Sequence, residues 1–371
     1  MKMLTFDLVL LVVSVAVTIS AATKIGVTYS TPDVQEVSPE RIVAKVVSME
    51  IEAVRLLDPD PEMIRAFAST KVSLFLSVPN PLVPMLASDR HQAFDWVKLH
   101  VLPFHNRTKI SMISVGNDLI SPEAPPPMFL LQAMQNLRKS LLQLRINDIP
   151  VSTTFSFFSL IASPFPPSLA QFKNPNRFLE KTNSSFLVNL FLTTYMDDTS
   201  TIHVRYTNLF DVMVDAVVKS LAVMGHESLP VVVAETGWPT WSSNSSEVDA
   251  TLRCSEKFLD SLVAHLRAGH GTPLRKEGVS EVYIFELCDS GSKQQSKRTW
   301  GLLDNHLKTK MNITFFVDIP EMEKKFIRTY LVIVFSLFAG VIGTVCVLTC
   351  LTNILSTERP PKPVVGRDKW L

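Results

Sequence analysis

The sequence predicts an α/β fold, a single (β/α)8 TIM barrel, followed by a C-terminal transmembrane helix. Two observations predict the barrel: eight short apolar runs rich in β-formers recur along the chain, and amphipathic helical segments lie between them. A third observation, a long uncharged apolar run near the C-terminus, predicts the membrane helix. Between the two ends lie roughly three hundred residues, which is enough for one large core.

The predicted strands follow one another at intervals that leave room for helices. They cover residues 24–30, 53–58, 72–79, 110–118, 150–157, 186–192, 230–238 and 281–287. The segments 38–51, 206–224 and 245–269 between them are amphipathic, and Gly269 is of the residue type that commonly ends a helix. An open doubly wound sheet is the alternative, but the turn after the first strand lacks the glycines of a nucleotide-binding turn.

The first 22 residues have the pattern of a secretory signal peptide. A positive start precedes an apolar core from Leu8 to Val17, and the small residues Ser20, Ala21 and Ala22 follow it. An uncleaved anchor is the alternative, although the apolar core is shorter than the ~20 residues that a membrane span needs.

The apolar run 330–354 is long enough to cross a bilayer, and residues 355–371 would form a short cytoplasmic tail. A glycolipid-anchor signal is the alternative, but such a signal ends in its apolar stretch, whereas this chain continues. We therefore predict a signal peptide 1–22, a barrel 23–317 outside the plasma membrane, a transmembrane helix 330–354 and a tail 355–371.

Composition excludes several classes of function. The formal net charge is +1, so nothing indicates nucleic acid as a partner. No clustered histidines or paired cysteine motifs predict a metal site, and no cofactor is predicted. Cys254 and Cys288 are the only cysteines outside the predicted span, and either a disulfide or two buried thiols is compatible with the sequence. Four glycosylation sequons begin at Asn106, Asn183, Asn244 and Asn312.

Two carboxylates follow buried strands. Glu235 ends the apolar run Val231 to Ala234, and Asp118 ends the strand from Ile110 to Val115. A carboxylate at such a position is costly unless it faces a cleft, and the carboxyl ends of barrel strands are where active sites lie. Two acids on one rim can act on one bond, as glycoside cleavage with retention requires.

These motifs resemble those of plant β-1,3-glucanases, glycoside hydrolase family 17. In that family a strand ending in Gly-Asn-Glu carries the acid, and Glu-Thr-Gly-Trp-Pro carries the nucleophile. The resemblance runs from Ile25 to about Leu303 and includes IGVTYS, SVPN and VYIFEL followed by RTWGLL. It implies that Glu235 is the nucleophile and Asp118 the acid/base of a retaining hydrolase.

The same resemblance implies a set of sugar contacts. Asn117 has the position to bond the sugar 2-OH, and Trp238 can offer an apolar face to a ring, although packing under a loop is the alternative for this tryptophan. The implied substrate-binding residues are Tyr29, Asn80, Asn117, Trp238 and Lys293.

The chain departs from the family pattern at four places on the rim. Asp118 stands where the family has Glu, and Leu57 stands where it tends to have Tyr. Phe191 and Leu192 replace a Tyr-Pro pair, and residues 289–291 read Asp-Ser-Gly instead of Asp-Glu-Asn. All four lie where glucan would be held or cleaved.

Three hypotheses about function follow. The first is a cell-surface glucan endo-1,3-β-D-glucosidase-like hydrolase that acts on β-1,3-glucan such as callose. The second is a membrane-tethered glucan-binding protein with weak or no catalysis, and the third is an adhesion ectodomain unrelated to sugar. The sequence leaves the oligomeric state open.

Overall fold

The computed structural model describes most of the predicted barrel and little beyond it. The described residues are 23–31, 37–119, 127–161, 167, 170, 184–191, 206, 208–289 and 297–315, with a few single positions between 336 and 349. The predicted signal peptide, the tail and nearly all of the predicted span lie outside these residues. Every helix in the described part of the chain is too short or too polar to span a membrane. The barrel belongs to one compact unit, Ser20–Phe316.

Eight parallel strands form a closed barrel, which confirms the predicted architecture. The strands are β1 (Lys24–Tyr29), β2 (Ala53–Leu56), β3 (Ser73–Val78), β4 (Lys109–Asn117), β5 (Val151–Ser156), β6 (Phe186–Phe191), β7 (Val231–Gly237) and β9 (Glu281–Ile284). Neighbours follow chain order, and β9 pairs with β1 to close the barrel. Two further strands, β8 (Trp241–Ser242) and β10 (Arg298–Thr299), pair antiparallel in a separate ribbon that the sequence patterns do not predict.

Helices lie between the strands. They are α1 (Pro39–Ser48), α2 (Pro61–Ala66), α3 (Val83–Ser88), α4 (Arg90–His100), α5 (Pro127–Gln143), α6 (Phe157–Leu160), α7 (Leu209–Val223) and α8 (Leu252–Ala268). Local chemistry sets the ends of α8: the Thr251 side chain accepts a hydrogen bond from the Cys254 N–H, and Gly269 closes the helix in the left-handed conformation at φ 66°. The prediction that Gly269 ends this helix is confirmed.

The barrel has an inner core of its own, distinct from the layer between strands and helices. It consists of Ala53, Phe75, Met112, Leu187, Val232, Ala234 and Tyr283. Gly26 makes room for it, because a Cβ at this position would lie 2.8 Å from the Tyr283 ring. The inner core fills the barrel below the rim, so polar side chains inside the barrel are placed near the carboxyl ends of the strands.

Irregularities in strand register occur at this rim. Between β4 and β5 the register shifts between Ser114 and Asn117, and between β6 and β7 it shifts between Val188 and Asn189. Such bulges re-aim the side chains that follow them. Here those side chains include Asn117, Asn189 and Glu235.

Candidate active site

Glu235 lies near the carboxyl end of β7 and is 4% exposed. Its Oε1 accepts hydrogen bonds from Arg55 Nη1 at 2.9 Å and from Asn117 Nδ2 at 3.0 Å. Burial raises the pKa of the Glu235 carboxyl, while the Arg55 charge and the Asn117 hydrogen bond oppose that rise. The carboxylate is therefore fixed in orientation by two donors.

Arg55, on β2, lies inside the barrel with no exposed surface. Besides Glu235, its guanidinium donates to Ser77 Oγ at 3.1 Å, to the Ala234 carbonyl at 3.1 Å and to Thr154 Oγ1 at 3.2 Å. Its fifth hydrogen bond goes to Asn117 Oδ1 at 3.2 Å. This saturated set of acceptors compensates the cost of burying a charge.

Sequence reasoning missed Arg55 as a site residue. The available signal was a charged residue in the short apolar strand AVRL. A buried arginine needs a partner, and a carboxylate on the same barrel rim is the natural one.

Asn117 ends β4, and its side chain connects two site residues: its Oδ1 accepts from Arg55 and its Nδ2 donates to Glu235. The backbone N–H of Asn117 donates to Asn80 Oδ1 at 2.7 Å, and Asn80 Nδ2 donates to the Asn117 carbonyl at 2.8 Å. Both ends of the Asn80 amide are therefore used to hold the backbone that presents Asn117. The predicted sugar contacts of Asn80 and Asn117 stay predictions.

Asp118 follows directly and adopts the left-handed conformation, with φ 57°. Asp tolerates this region better than most residues. Its backbone N–H donates to the Thr154 carbonyl at 3.1 Å, which ties it to β5. Although the residue as a whole is exposed, its carboxyl group is sheltered, and burial raises its pKa to about 6 against opposing contributions from Asn189 and Arg55.

The two carboxyl groups differ in a way that suits acid–base chemistry. Glu235 sits against a permanent cation, whereas Asp118 holds a proton up to about pH 6. The negative charge of Asp118 also contributes to the raised pKa of Glu235, so the two groups influence each other electrostatically. Two-carboxylate glycoside cleavage uses one carboxyl as proton donor and the other as nucleophile, and Arg55 favours the ionised form of Glu235.

A cleft of about 400 Å³ opens beside Glu235. Three of its lining residues form an aromatic cluster: the Phe191 ring centroid lies 5.2 Å from Trp300 and 5.7 Å from Phe285. The remaining lining residues are Trp238, Pro239, Glu247, Asp249, Ala250 and Arg298. Aromatic faces beside a carboxylate are suited to sugar rings.

The β8–β10 ribbon builds one wall of this cleft. The Thr240 N–H donates to the Thr299 carbonyl at 2.7 Å, and Arg298 on β10 pairs with Glu247 in the loop that follows β8. The ribbon carries Trp300 into the aromatic cluster. The sequence patterns missed Trp300, because its placement depends on pairing between two loops far apart in the chain.

The remaining predicted sugar-binding residues fall into three places. Trp238 is half-buried, lines the cleft and donates its indole N–H to the Asp249 carbonyl at 2.7 Å. Tyr29 is 3% exposed, and its hydroxyl has no hydrogen-bond partner among the described residues. Lys293 lies outside the described residues. All three roles stay predictions.

The structure also locates most of the predicted glycosylation sites and both cysteines. Asn106, Asn244 and Asn312 are exposed, as glycosylation requires, and Asn183 lies outside the described residues. Cys254 and Cys288 carry free thiols in the structure.

The structure shows the surroundings of three of the four rim positions at which the chain departs from the family pattern. Leu57 is half-buried, and Phe191 belongs to the aromatic cluster. Asp289 accepts from Lys310 Nζ at 2.7 Å and from the Gly301 N–H at 2.8 Å, so its carboxylate is committed to structure. Residues 192 and 290–291 lie outside the described part of the chain.

Comparison with known proteins adds independent information. The profile of the family described as Glycosyl hydrolases family 17 matches residues 25–315. Glucan endo-1,3-beta-glucosidase 7 of Arabidopsis thaliana is 33% identical over 80% of this chain and 64% of its own length. Glucan endo-1,3-beta-glucosidase 2 of the same plant is 31% identical over 76% of this chain and 61% of its own length. The chain thus spans less than two thirds of these relatives.

Solved structures of plant glucanases are also similar to this chain. A beta-1,3-glucanase and allergen of Cryptomeria japonica pollen is 27% identical with a TM-score of 0.70, over 80% of this chain and 100% of the other. A plant beta-glucan endohydrolase is 25% identical with a TM-score of 0.68, over 78% of this chain and 100% of the other.

Proposed function

Since the chain belongs to glycosyl hydrolase family 17, we propose that it is a glucan endo-1,3-β-D-glucosidase that cleaves β-1,3-glucan with retention. In this proposal Glu235 is the nucleophile and Asp118 the acid/base. The proposed substrate is the one named for its relatives.

One observation carries the proposal: Glu235 is buried, held by Arg55 and Asn117, and lines an aromatic cleft. Burying a carboxylate costs free energy that an apolar residue would avoid. A carboxylate that is nevertheless buried beside a cleft therefore indicates a chemical role. The pairing with a second carboxyl of raised pKa supports an enzymatic role.

The proposed reaction has two steps. First, protonated Asp118 gives its proton to the glycosidic oxygen while the Glu235 carboxylate attacks the anomeric carbon, so the C–O bond to the leaving sugar breaks and a glycosyl ester forms. Next, the Asp118 carboxylate takes a proton from water, whose oxygen attacks the same carbon and releases Glu235. Arg55 and Asn117 hold the Glu235 carboxylate in line throughout.

The test is turnover of a linear β-1,3-glucan by the full-length protein purified in detergent. Release of reducing ends is expected from the unmodified protein and not from Glu235→Gln, which keeps the shape of the side chain and removes the nucleophile. Equal release by the two proteins would refute the assignment of Glu235.

A second candidate function is glucan binding with little turnover. The observation that favours it is the short acid at position 118, on a left-handed residue of an exposed rim. Binding of a β-1,3-oligosaccharide by calorimetry, with no release of reducing ends under the same conditions, would select this candidate.

Hydrolysis is expected to decline as the pH rises above about 6. The pKa of Asp118 is raised to about 6, so its acid form is populated below this pH and lost above it. The rate constant kcat/KM should then drop about tenfold per pH unit on the alkaline side, because the first step needs the proton. A kcat/KM profile between about pH 4 and 9 checks this. An alkaline limb near the ordinary aspartate pKa of about 4 would show that the carboxyl is not sheltered in solution.

We further propose that the protein is tethered to the plasma membrane with the barrel outside. The proposed signal peptide 1–22, the uncharged run 330–354 and the exposed sequons at Asn106, Asn244 and Asn312 support this localisation.

Anchorage through a span is expected to resist phospholipases that cut glycolipid anchors. Membranes from cells expressing the protein with an epitope tag after Leu371 should retain both the tag and the barrel after such treatment. A glycolipid-anchored protein on the same membranes serves as the positive control for release. Release of the barrel without its tag would overturn the proposed span.

A further inference from the structure

Trp300 is the cleft aromatic whose position depends most on structure outside the barrel strands. Its half-buried ring lines the cleft beside Glu235. A Cβ at Gly237, two residues beyond Glu235 on β7, would lie 3.6 Å from Trp300 Cε3, so the ring lies close to the strand that carries the proposed nucleophile. Trp300 directly follows β10, and strands of two residues are not stable by themselves. Other contacts must therefore hold the ring in place.

Hydrogen bonds fix the backbone on both sides of Trp300. On one side, the Thr299 carbonyl accepts from the Thr240 N–H at 2.7 Å and from Thr240 Oγ1 at 3.1 Å. On the other side, the Gly301 N–H donates to Asp289 Oδ1 at 2.8 Å. A Cβ at Gly301 would lie 2.4 Å from the Asp289 nitrogen, so these two residues are in direct contact. Thr240 and Asp289 thus hold the two neighbours of Trp300.

Lys310 joins these two holding residues. Its Nζ donates to Asp289 Oδ2 at 2.7 Å and to Thr240 Oγ1 at 3.0 Å. Because the ammonium group can only donate, Thr240 Oγ1 accepts this bond and its own hydrogen is left for the Thr299 carbonyl. The Lys310 side chain is 19% exposed and that of Asp289 is 12% exposed, so the pair is largely shielded from solvent. A charge-assisted bond in such a place is stronger than one on an open surface.

We propose that Lys310 is a positioning residue for Trp300: through Thr240 and Asp289 it fixes the backbone on both sides of the tryptophan and thereby sets the orientation of the ring in the cleft. Lys310 is not among the described residues that line the cleft, so it acts through Trp300. The ligand of the indole face would be a sugar ring of the glucan, and in this respect the inference rests on the proposed function. The link between Lys310 and Trp300 does not depend on turnover.

Lys24 provides a matched control for an ion pair that only stabilises the fold. It pairs with Glu281, with side chains 26% and 14% exposed, and both residues begin barrel strands at the end opposite the rim. Lys24→Met and Lys310→Met remove the same charge and leave a carboxylate without its partner. Both should lower thermal stability, but only Lys310→Met should affect Trp300.

The experiment observes Trp300 directly by ¹⁹F NMR of the full-length protein in detergent, labelled with fluorotryptophan. The sequence has five tryptophans, and the Trp300 signal is assigned by its absence in Trp300→Phe. This signal should shift or broaden in Lys310→Met and stay in place in Lys24→Met. Lys310→Arg keeps the charge and the donors and should give a signal close to that of the unmodified protein. If Lys310→Met does not fold, Thr240→Val takes its place, since it removes the hydroxyl and retains the shape of the side chain.

Sugar binding should change with the ring. Affinity for a β-1,3-oligosaccharide, measured by calorimetry, should fall about three- to tenfold in Lys310→Met, a change of the size that one lost contact produces. Where turnover is measurable, KM should rise by a similar factor while kcat changes little, because stacking on an aromatic face holds the substrate and the transition state alike. Lys24→Met should leave both constants unchanged.

The outcomes separate this inference from the proposed function. A Trp300 signal that is the same in Lys310→Met and in the unmodified protein overturns the inference, and so does one that moves equally in Lys24→Met. A signal that moves while oligosaccharide affinity stays constant also overturns it, because the orientation of the ring would then not matter to the sugar. A protein that neither binds nor cleaves β-1,3-glucan would refute the proposed function, and the NMR comparison would still decide whether Lys310 holds Trp300.

Discussion

Replacing Arg55 by methionine is expected to lower the free energy of unfolding by about 3–5 kcal/mol. The guanidinium is fully buried and bonds Glu235 at 2.9 Å, so its removal leaves an uncompensated carboxylate inside the barrel. It also removes the donor to Ser77 Oγ and one of the two hydrogen-bond partners of Thr154 Oγ1. Methionine retains much of the volume, so the loss reports charge and hydrogen bonding more than a cavity. Denaturant unfolding at neutral pH measures it.

The stability deficit should depend on pH with a defined sign. Without Arg55, burial leaves the pKa of folded Glu235 raised above its unfolded value near 4.3. The folded state then holds a proton that the unfolded state releases, so stability falls as the pH rises through this window. The deficit of Arg55→Met should therefore be smaller near pH 4 than near pH 7.

A double variant tests the same cause. Adding Glu235→Gln to Arg55→Met removes the unpaired carboxylate and should recover part of the lost stability, together with its pH dependence. Arg55→Lys is the control that keeps the charge but lacks the planar fork needed to reach five acceptors. An Arg55→Met protein as stable as the parent, or no recovery in the double variant, would show that this pair does not bear on the fold.

The barrel could be predicted from sequence because each strand has a local signal. Runs such as Val231 to Ala234 are apolar on both faces, and this pattern is dictated by helices covering the outside of a parallel sheet. Strand order and closure then follow from the alternation of strands and helices. The ribbon formed by Trp241–Ser242 and Arg298–Thr299 has no such signal, because two-residue strands carry no periodicity.

The two candidate carboxylates could be predicted because each stands at the end of an apolar run. Glu235 and Asp118 lie close to the carboxyl ends of β7 and β4, where a carboxylate after apolar residues is conspicuous. Arg55 and Asn189 lie within strands, and what brings them to Glu235 is the register of the barrel. Register is a non-local property, so sequence reasoning finds the reacting groups more readily than the groups that hold them.

The aromatic cluster shows what one of the rim departures changes and what it keeps. Phe191 stands where the family pattern predicts tyrosine, and it packs against Phe285 and Trp300. The cleft therefore keeps an aromatic surface there without the hydroxyl. The departure at Asp118 is different, since it changes the reach of a group that must touch the substrate. It has the largest expected influence on rate.

Replacing Asp118 by glutamate is expected to raise kcat/KM on linear β-1,3-glucan, by up to roughly a hundredfold. The added methylene extends the carboxyl by on the order of 1 Å, a distance that can decide whether a proton reaches the leaving oxygen. Asp118→Asn should remove the proton donor and lower the rate by about 10²–10⁴. Both rates are measured as reducing ends released, with Glu235→Gln as the blank.

The gain in rate should come with a loss in stability. Asp118 has φ 57°, and glutamate lacks the short side chain that eases this conformation, so about 1 kcal/mol of unfolding free energy should be lost. Asp58→Glu is the matched control: it adds the same methylene to a rim carboxylate whose oxygens accept from the Thr31 N–H at 3.0 and 3.2 Å, and it should leave the rate unchanged.

Negligible turnover in Asp118→Glu, alongside measurable binding of β-1,3-oligosaccharide, would favour the binding function, because the cleft would then hold glucan without aligning it. If binding is absent too, neither proposed function survives, and Glu235 must be explained by its pairing with Arg55 alone.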